Sequence, residues 1–589
     1  MTNKKTSKVS KPVKIDGILF KVSRRNGLMQ KVGRHWQKVA PFIRVTGLAH
    51  EEGDKRYLVR IKFRTLDGNI AKEFLPRQDV DAARVVVGRL LDAGFKVPSL
   101  KSKKEALLSY LGKALPPRRF VIVNRSGWYE GVYILANGEL IGSPGKVQIE
   151  YRPQEQNPDH RPLDVLGGTL AGWQEGVAEP ARHSHRMMFA IAVGFSSMLL
   201  NLTDVESGLF HFFGGSSKGK TISLLAALSV FQQALKTTVI SWDITANAME
   251  EIAAEYCDRL LALDEAGLLF GTDPRKGLQA ARDIAFKLTA GAGRRRSRFF
   301  TKGARTTSWS WRLMVVSSGE HSFGEMAAKA GAERLGGENV RVIDVPAVMS
   351  ETWGVFHQVP PGKTSADLAA QVEAAAQAHF GHPGRTLAAT LTAALEQDRS
   401  AVIAQINSLR AEFIAAAQVP HDSWEQRFAS RFGLAYAAAR MAIGAKIVPW
   451  SNEEALAATV DTYQAARRAI PKFDNVIERA WGRVCDKLKA SKRVIDLTTV
   501  SGRKAAKRGP ASAYLKFDAK LGRYYVVSPE ALRRWAGDGV SLTCLGPWMR
   551  EQGHLITTNR NLPTRQVKVP GVNGRCTYYC IRAKAVDAG

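Results

Sequence analysis

The chain has 589 residues, 45% of them hydrophobic and 24% charged, an ordinary globular balance in a protein too long for one core, so three or four domains are expected. No apolar run reaches the roughly 18–20 residues that cross a bilayer. The opening MTNKKTSKVSKPVKIDG has no apolar stretch behind its lysines, which argues against a secretory leader or a transit peptide. Lys and Arg number 85 against 54 Asp and Glu, a formal charge of +31 that favours a polyanionic partner. That charge is clustered: residues 1–40 hold eleven basic side chains and one acid, residues 481–589 hold 21 and seven, and the two stretches carry +24 of the total. The five cysteines, Cys257, Cys485, Cys544, Cys576 and Cys580, form no CxxC pairs, which fits a reducing compartment without structural zinc.

In chain order, residues 1–30 read as a basic flexible arm and 31–155 as an N-terminal α+β domain. In the latter, YLVRIKF and RFVIVNRSGWYEGVYILANGELIG alternate like strands, while DVDAARVVVGRLLDAGF and SKKEALLSYLGKAL have helical spacing. A linker-like EYRPQEQNPDHRP leads to RMMFAIAVGFSSMLLNL, which is expected to be a buried packing helix because Gly194 and two serines interrupt it. From about Gly208 to Pro346 short apolar strands alternate with helices, the pattern of a parallel α/β core, and 156–360 is expected to be one domain. Residues 361–490 are Ala-rich with helical spacing and read as a helical bundle. Residues 491–589 read as a small basic domain with helices SPEALRRWAG and LTCLGPWMREQG before a hairpin, QVKVPGVNGRCTYYCIRA.

The run LFHFFGGSSKGKTISLLAALSVF contains G-x-x-x-x-G-K-T between an apolar segment and a helical one, the context that makes this pattern a phosphate-binding loop. Gly214, Gly215, Ser216, Ser217, Lys218, Gly219, Lys220 and Thr221 would then cradle the phosphates of ATP. Backbone N–H groups and the following helix N-terminus would face the anion, Lys220 would neutralise the β- and γ-phosphates, and Thr221 would ligate Mg2+. Some 43 residues on, the strand RLLALDEA ends in Asp264, a second Mg2+ ligand, and Glu265, positioned to polarise the attacking water. Paired acids at a strand end can merely be solvated, but their distance from the loop favours chemistry. A third strand, WRLMVVSSGE, ends in Ser317 and Ser318, where P-loop motors place a polar sensor of the γ-phosphate, often Asn; Ser318 is the candidate here. In ENVRVIDVPA, Arg341 at a strand start is a candidate finger for a neighbouring subunit's phosphate, with Arg334 as the alternative. A plain ion pair with Glu338 or Asp344 is the competing role for Arg341.

Residues 287–312, KLTAGAGRRRSRFFTKGARTTSWSWR, hold eight basic side chains and no acid, with strand formers on either side of Lys302–Gly303. A hairpin is expected whose Arg294, Arg295, Arg296, Arg298, Lys302 and Arg305 track nucleic-acid phosphates. Phe299, Phe300, Trp309 and Trp311 could stack bases or pack the hairpin's own face.

Several phrases, among them NRSGWYEGVYILANGELIG, GTLAGWQEGVAEPARHSHRMMFAIAVGF, ESGLFHFFGGSSKGKT, SWDITANAMEEIAAEYCDRLLALDEA and SSGEHSFGEMAAKAGAERLGGENVRVIDVPA, resemble the helicase-like domain of unknown function of prophages, integrative elements and staphylococcal cassette chromosomes. The resemblance covers roughly residues 35–360. It implies an α/β P-loop NTPase core of AAA+-like type, related to superfamily III and minichromosome-maintenance helicases, with a winged-helix-like C-terminal domain. It further implies a homo-hexamer using ATP and Mg2+ on single-stranded or forked DNA, in replication of a phage or mobile element. A primase or other replication proteins would be partners, in the cytoplasm of a bacterial or phage-infected cell. Trp242, Thr245 and Asn247 belong to one shared phrase expected to shape the site or its interface, and chemistry alone gives them no role. Two other classes compete: an ATP-switched DNA-binding initiator or regulator, and a small-molecule NTPase or kinase, for which the basic ends would have no purpose.

Overall fold

The structure, a computed structural model, describes residues 11–53, 56–77, 83–145, 147–152, 164–270, 273–293, 310–332, 334, 336–470, 473–490, 494–537, 540–557, 562–572 and 574–588. The chain divides into two units, Met1–Val165 with Ala388–Arg399, and Leu166–Leu387 with Ser400–Gly589.

The first unit opens with an antiparallel meander, Val13–Ile15, Ile18–Ser23, Gly27–Val32 and His35–Ala40. This differs from the flexible arm expected over residues 1–30. Ile15 pairs with Ile18 across a two-residue Asp16–Gly17 turn in which both residues have positive φ, the geometry that matches the twist of a tight hairpin. Alternation then buries Ile15, Phe20, Val22 and Leu28 and leaves Lys14 and Lys31 in solvent, so the lysines decorate one face of a sheet. A five-stranded sheet follows in the order Gln148–Tyr151, Arg119–Val123, Ile43–Glu51, Tyr57–Arg64, Ile70–Pro76. Helices Ala83–Asp92 and Lys101–Lys113 contribute Val86, Leu90, Leu107 and Leu111 to the core that holds Ile43, Ile61 and Phe63.

The second unit is built on a parallel sheet of β1 (Gly208–Phe213), β2 (Ile240–Ser241), β3 (Arg259–Asp264), β4 (Leu313–Gly319) and β5 (Val342–Pro346), ordered β2-β3-β4-β1-β5. Helices α1 (Lys220–Leu228), α2 (Ala246–Glu255) and α3 (Pro274–Ala290) follow the first three strands, and α4 (Phe323–Lys329) and α5 (Gly336–Arg341) join the last two. The strands read as continuous apolar runs because a parallel sheet is covered on both faces. Since β4 lies between β1 and β3, three strand ends converge at the carboxyl edge, where open α/β sheets carry their ligands.

The apolar helix His185–Ser196 and its continuation Ser197–Leu202 reach, contrary to the expectation from the sequence, the length and apolarity of a bilayer-crossing segment, and 89% of this stretch is buried in the protein. Its interruptions are satisfied inside the protein: Ser196 and Ser197 donate to the carbonyls of Val193 and Gly194 at 2.8 and 2.7 Å. Phe189 of this helix, Phe210 of β1 and Phe432 of helix Ser423–Gly444 form a cluster with centroids 5.0–5.1 Å apart. Residues expected to form a separate bundle after 360 therefore share a core with the sheet, because their alanine-rich faces let helices approach it closely. The last helix of that region, Phe473–Ala490, turns Ile477, Trp481, Val484 and Leu488 toward Leu532, Trp535, Leu545 and Ile581 of the C-terminal residues. There, helices Pro529–Ala536 and Leu542–Glu551 precede the antiparallel strands Arg565–Val567 and Cys576–Arg582.

Candidate functional site

The loop Gly214–Gly219 leaves β1, buried up to its last residue Phe213, and enters α1. Gly214 donates its N–H to the Gly319 carbonyl at 3.2 Å, tying the loop's start to the end of β4. Ser217 and Gly219 have positive φ, and a Cβ on Gly219 would come within 2.6 Å of Val355, so the wrap requires glycine there. The loop rests on a turn unremarked in the sequence: Val355 N–H donates to the Lys218 carbonyl at 2.9 Å, and Lys218 Nζ donates to the Glu351 carbonyl at 2.8 Å. Gly354, also at positive φ, lies where any side chain would strike that same Lys218 carbonyl.

Lys220 Nζ donates to the carbonyls of Gly214 and Gly215 at 2.8 and 2.7 Å, so its ammonium stands in the mouth of the loop. Burial pulls its pKa below the ordinary lysine value, opposed by the carboxylates of Glu320 and then Asp264. Thr221 Oγ1 donates to Asp264 Oδ2 at 3.3 Å, and Ser318 Oγ donates to Asp264 Oδ1, which also accepts the Glu265 N–H at 2.8 Å. Loop, acid pair and Ser318 thus meet at one place. Glu265 is exposed and held at φ 61°, a conformation uncommon outside glycine. Thr221 and Asp264 present adjacent oxygens, the hard donor set that holds Mg2+ through a single carboxylate together with phosphate oxygens.

Glu320 and His211 escaped sequence reasoning, and Trp242 is the phrase residue to which chemistry alone gave no role. Glu320, one residue past β4, accepts from Ser216 Oγ, and that bond and Lys220 hold its carboxyl below the ordinary glutamate value. Fully buried His211 contacts Ser317 Oγ through Nδ1 at 3.1 Å and the His321 carbonyl through Nε2 at 3.0 Å. Trp242 Nε1 donates to Ser317 Oγ at 2.8 Å. A carbonyl only accepts, so Nε2 carries the proton, Nδ1 accepts from the serine hydroxyl, and that hydroxyl accepts from the indole. Adjacent serines on one strand thus serve opposite faces, Ser317 bracing the sheet and Ser318 facing the acid. Trp242 and Thr245 are structural: Thr245 caps α2 by accepting from Ala248 N–H at 3.3 Å, and the Asn247 side chain accepts from Lys287 at 3.5 Å.

Arg341 closes α5 immediately before β5 instead of opening a strand. Its guanidinium donates to the Gly337 carbonyl at 3.1 Å and lies 5.5 Å above the Phe286 ring. Val342 pairs with Leu209 at the start of β1, so Arg341 sits at the sheet edge opposite the loop. The Arg334 side chain is largely enclosed, paired with Asp344 at 2.7 Å, and donates to the Glu338 and Val342 carbonyls. The carboxylates first weighed as partners for Arg341 are engaged elsewhere, Asp344 by Arg334 and Glu338 by Arg282 at 3.1 Å.

Arg294, Arg295, Arg296, Arg298, Lys302 and Arg305 lie outside the described residues, as do Phe299, Phe300 and Trp309. The base of their segment is described: Ala292 bridges Ser310 antiparallel, and Trp311 N–H donates to the Gly291 carbonyl at 3.0 Å. The chain therefore leaves and returns at one point. Trp311 is buried with its indole on the Leu288 carbonyl, so it packs the base and does not stack bases. Lys287 pairs with Glu250 and Arg312 with Asp258, each at 2.9 Å, which removes these two from the eight basic side chains free to meet a polyanion.

A family model described as a domain of unknown function, DUF927, matches residues 17–309, a stretch that includes the loop and the acid pair. The chain is similar in structure to a solved chain named "SCCmec type IV Cch - active helicase", at 14% identity and a TM-score of 0.62 over 94% of this chain and 95% of that one. The two share a helicase-like α/β fold. A second solved structure, "The A form apo structure of NrS-1 C terminal region-CTR", aligns at 9% identity and a TM-score of 0.29 over 92% and 96% of the respective chains. No curated protein matches.

Proposed function

We propose, from the match of residues 17–309 to the DUF927 family model, that the chain is an ATP-dependent DNA helicase or translocase with an AAA+-like P-loop core, working in replication of a phage or mobile element. The observation that carries this reading is the convergence of Lys220, Thr221, Asp264, Glu265 and Ser318 at the carboxyl edge of three neighbouring strands. The loop glycines and Lys220 would hold the phosphates, and Thr221 and Asp264 would hold Mg2+. When bound, Mg2+ neutralises charge on the phosphates. Glu265 would orient water and take its proton, and Ser318, by holding Asp264, would sense the state of the site.

Arg341 supports an oligomeric ring. Between it and the loop lies the whole of β1, on the order of 20 Å of strand, which keeps it from its own site and fits a role at a neighbour's. A hexamer acting on single-stranded or forked DNA, with the basic segment 294–309 lining its channel, is the assembly we favour.

A second reading rests on the C-terminal residues. Two consecutive helices set between strands of one five-stranded sheet, Val494–Asp496, Ala513–Asp518, Gly522–Val527, Cys576–Arg582 and Arg565–Val567 in spatial order, with exposed Arg533 and Arg534, suit a basic domain that recognises an origin, as in an ATP-switched initiator or regulator.

The test is ATPase rate with and without single-stranded DNA, for wild type and Glu265→Gln, at two salt concentrations. The helicase reading expects stimulation that the substitution abolishes and that salt weakens through counterion competition. Turnover indifferent to DNA would move the assignment to the initiator.

A further inference from the structure

Ser216 and Lys220 are two of the groups a nucleotide's phosphates would engage in this loop, and in the structure both face a carboxylate. Glu320 accepts the Ser216 hydroxyl and is the foremost carboxylate opposing the effect of burial on Lys220, ahead of Asp264. Its position is fixed by the chain: β4 ends at Gly319, whose carbonyl holds the loop's first N–H, so the next side chain is delivered onto the loop. On its far side, His321 contacts Lys329 through Nε2 at 2.8 Å and begins the turn that Ser322 caps onto α4. A carboxylate and a polyphosphate repel one another, so both cannot share Ser216 and Lys220.

We infer that Glu320 is a specificity-determining latch that competes with the terminal phosphate of a nucleoside triphosphate for the loop. This rests on the nucleotide-site reading given above. Binding of the triphosphate breaks the Ser216–Glu320 hydrogen bond and displaces the carboxylate. After hydrolysis and loss of phosphate, the carboxylate returns and favours emptying of the site. The penalty falls mainly on the γ-phosphate, so the latch lowers affinity for the triphosphate more than for the diphosphate.

The experiment is titration of the full chain with fluorescent ADP and a fluorescent non-hydrolysable ATP analogue, both with Mg2+, for wild type, Glu320→Gln and Lys220→Ala. Glutamine keeps the shape and a hydrogen bond to Ser216 while removing the charge. Because Glu320 is exposed, we expect Glu320→Gln to bind the triphosphate about two- to fivefold tighter at low salt, with a smaller change for ADP and a difference that shrinks as salt rises. Unchanged or weaker triphosphate binding by Glu320→Gln, with Lys220→Ala impaired as expected, would overturn the latch and leave the nucleotide site standing. Wild-type affinity in Lys220→Ala would overturn both.

Discussion

At the scale of single residues, the proposed site divides into groups that would face a nucleotide and groups that hold those groups in place. Lys220 belongs to the first kind: Lys220→Ala is expected to abolish nucleotide turnover without lowering the melting temperature, because its ammonium bonds only loop carbonyls that water can satisfy. Ser317 belongs to the second. Its hydroxyl gives its proton to His211 and accepts that of Trp242 in a fully buried setting, so Ser317→Ala strands two polar groups at once. The expected cost is about 1–3 kcal/mol per stranded group, read by urea denaturation. A change within a few tenths of a kcal/mol would mean the network does not brace β4.

At the scale of elements, the two arginines near β5 are expected to separate cleanly. Arg334 is enclosed between α5 and β5 with Asp344, which also accepts the N–H groups of Phe323 and Gly324 at 3.1 and 3.2 Å. Removing it leaves a buried carboxylate without its counter-charge, so Arg334→Ala should destabilise the protein by about 3–5 kcal/mol. Arg341→Ala should leave the melting temperature near wild type and lower turnover only under conditions where subunits assemble. Equal loss of stability in both variants would remove Arg341 as a trans-acting group. For the basic segment, Lys302→Ala should spare basal ATPase and weaken its stimulation by DNA, and normal strand displacement by that variant would sink the channel assignment.

At the scale of the whole molecule, stability should depend on pH through histidines that link distant parts of the second unit. His357, beyond the turn under the loop, lies against His185 with ring centroids 4.2 Å apart and planes tilted by 39°, and His185 contacts Asp461 of helix Asn452–Ala469 at 3.3 Å. Burial, then the neighbouring charges of His185 and His183, push His357 down to about 4, and burial also lowers His183 and His211. The unfolded chain therefore binds these protons first. Their contribution is complete above an unfolded value near 6.5 and is lost as pH falls through the window down to about 4. Asp461, held far below its ordinary value chiefly by His185, keeps its charge throughout that window. Melting temperature is expected to fall between pH 7 and 4, with a shallower fall in His357→Asn; identical profiles would exclude His357 as a contributor.

The sequence by itself determined the local form of short contiguous patterns. The loop Gly214–Thr221, the strand ending at Asp264 and the run of parallel strands were legible because a tight wrap between strand and helix demands glycines at fixed spacing and a doubly covered strand demands an unbroken apolar run. The buried helix at His185 was legible for the same reason. The tertiary structure alone decided which distant residues meet. Placing β4 between β1 and β3 brings Ser318 to Asp264 and Glu320 to Ser216, and the fold of the 350–357 turn sets Val355 beneath the loop. It also separated Arg334, enclosed with Asp344, from Arg341, and it made strands of the lysine-rich stretch after Val13. Local spacing encodes what one turn or one strand must be, whereas pairing across more than fifty residues is fixed only by strand order and by which side chains the core has room to bury.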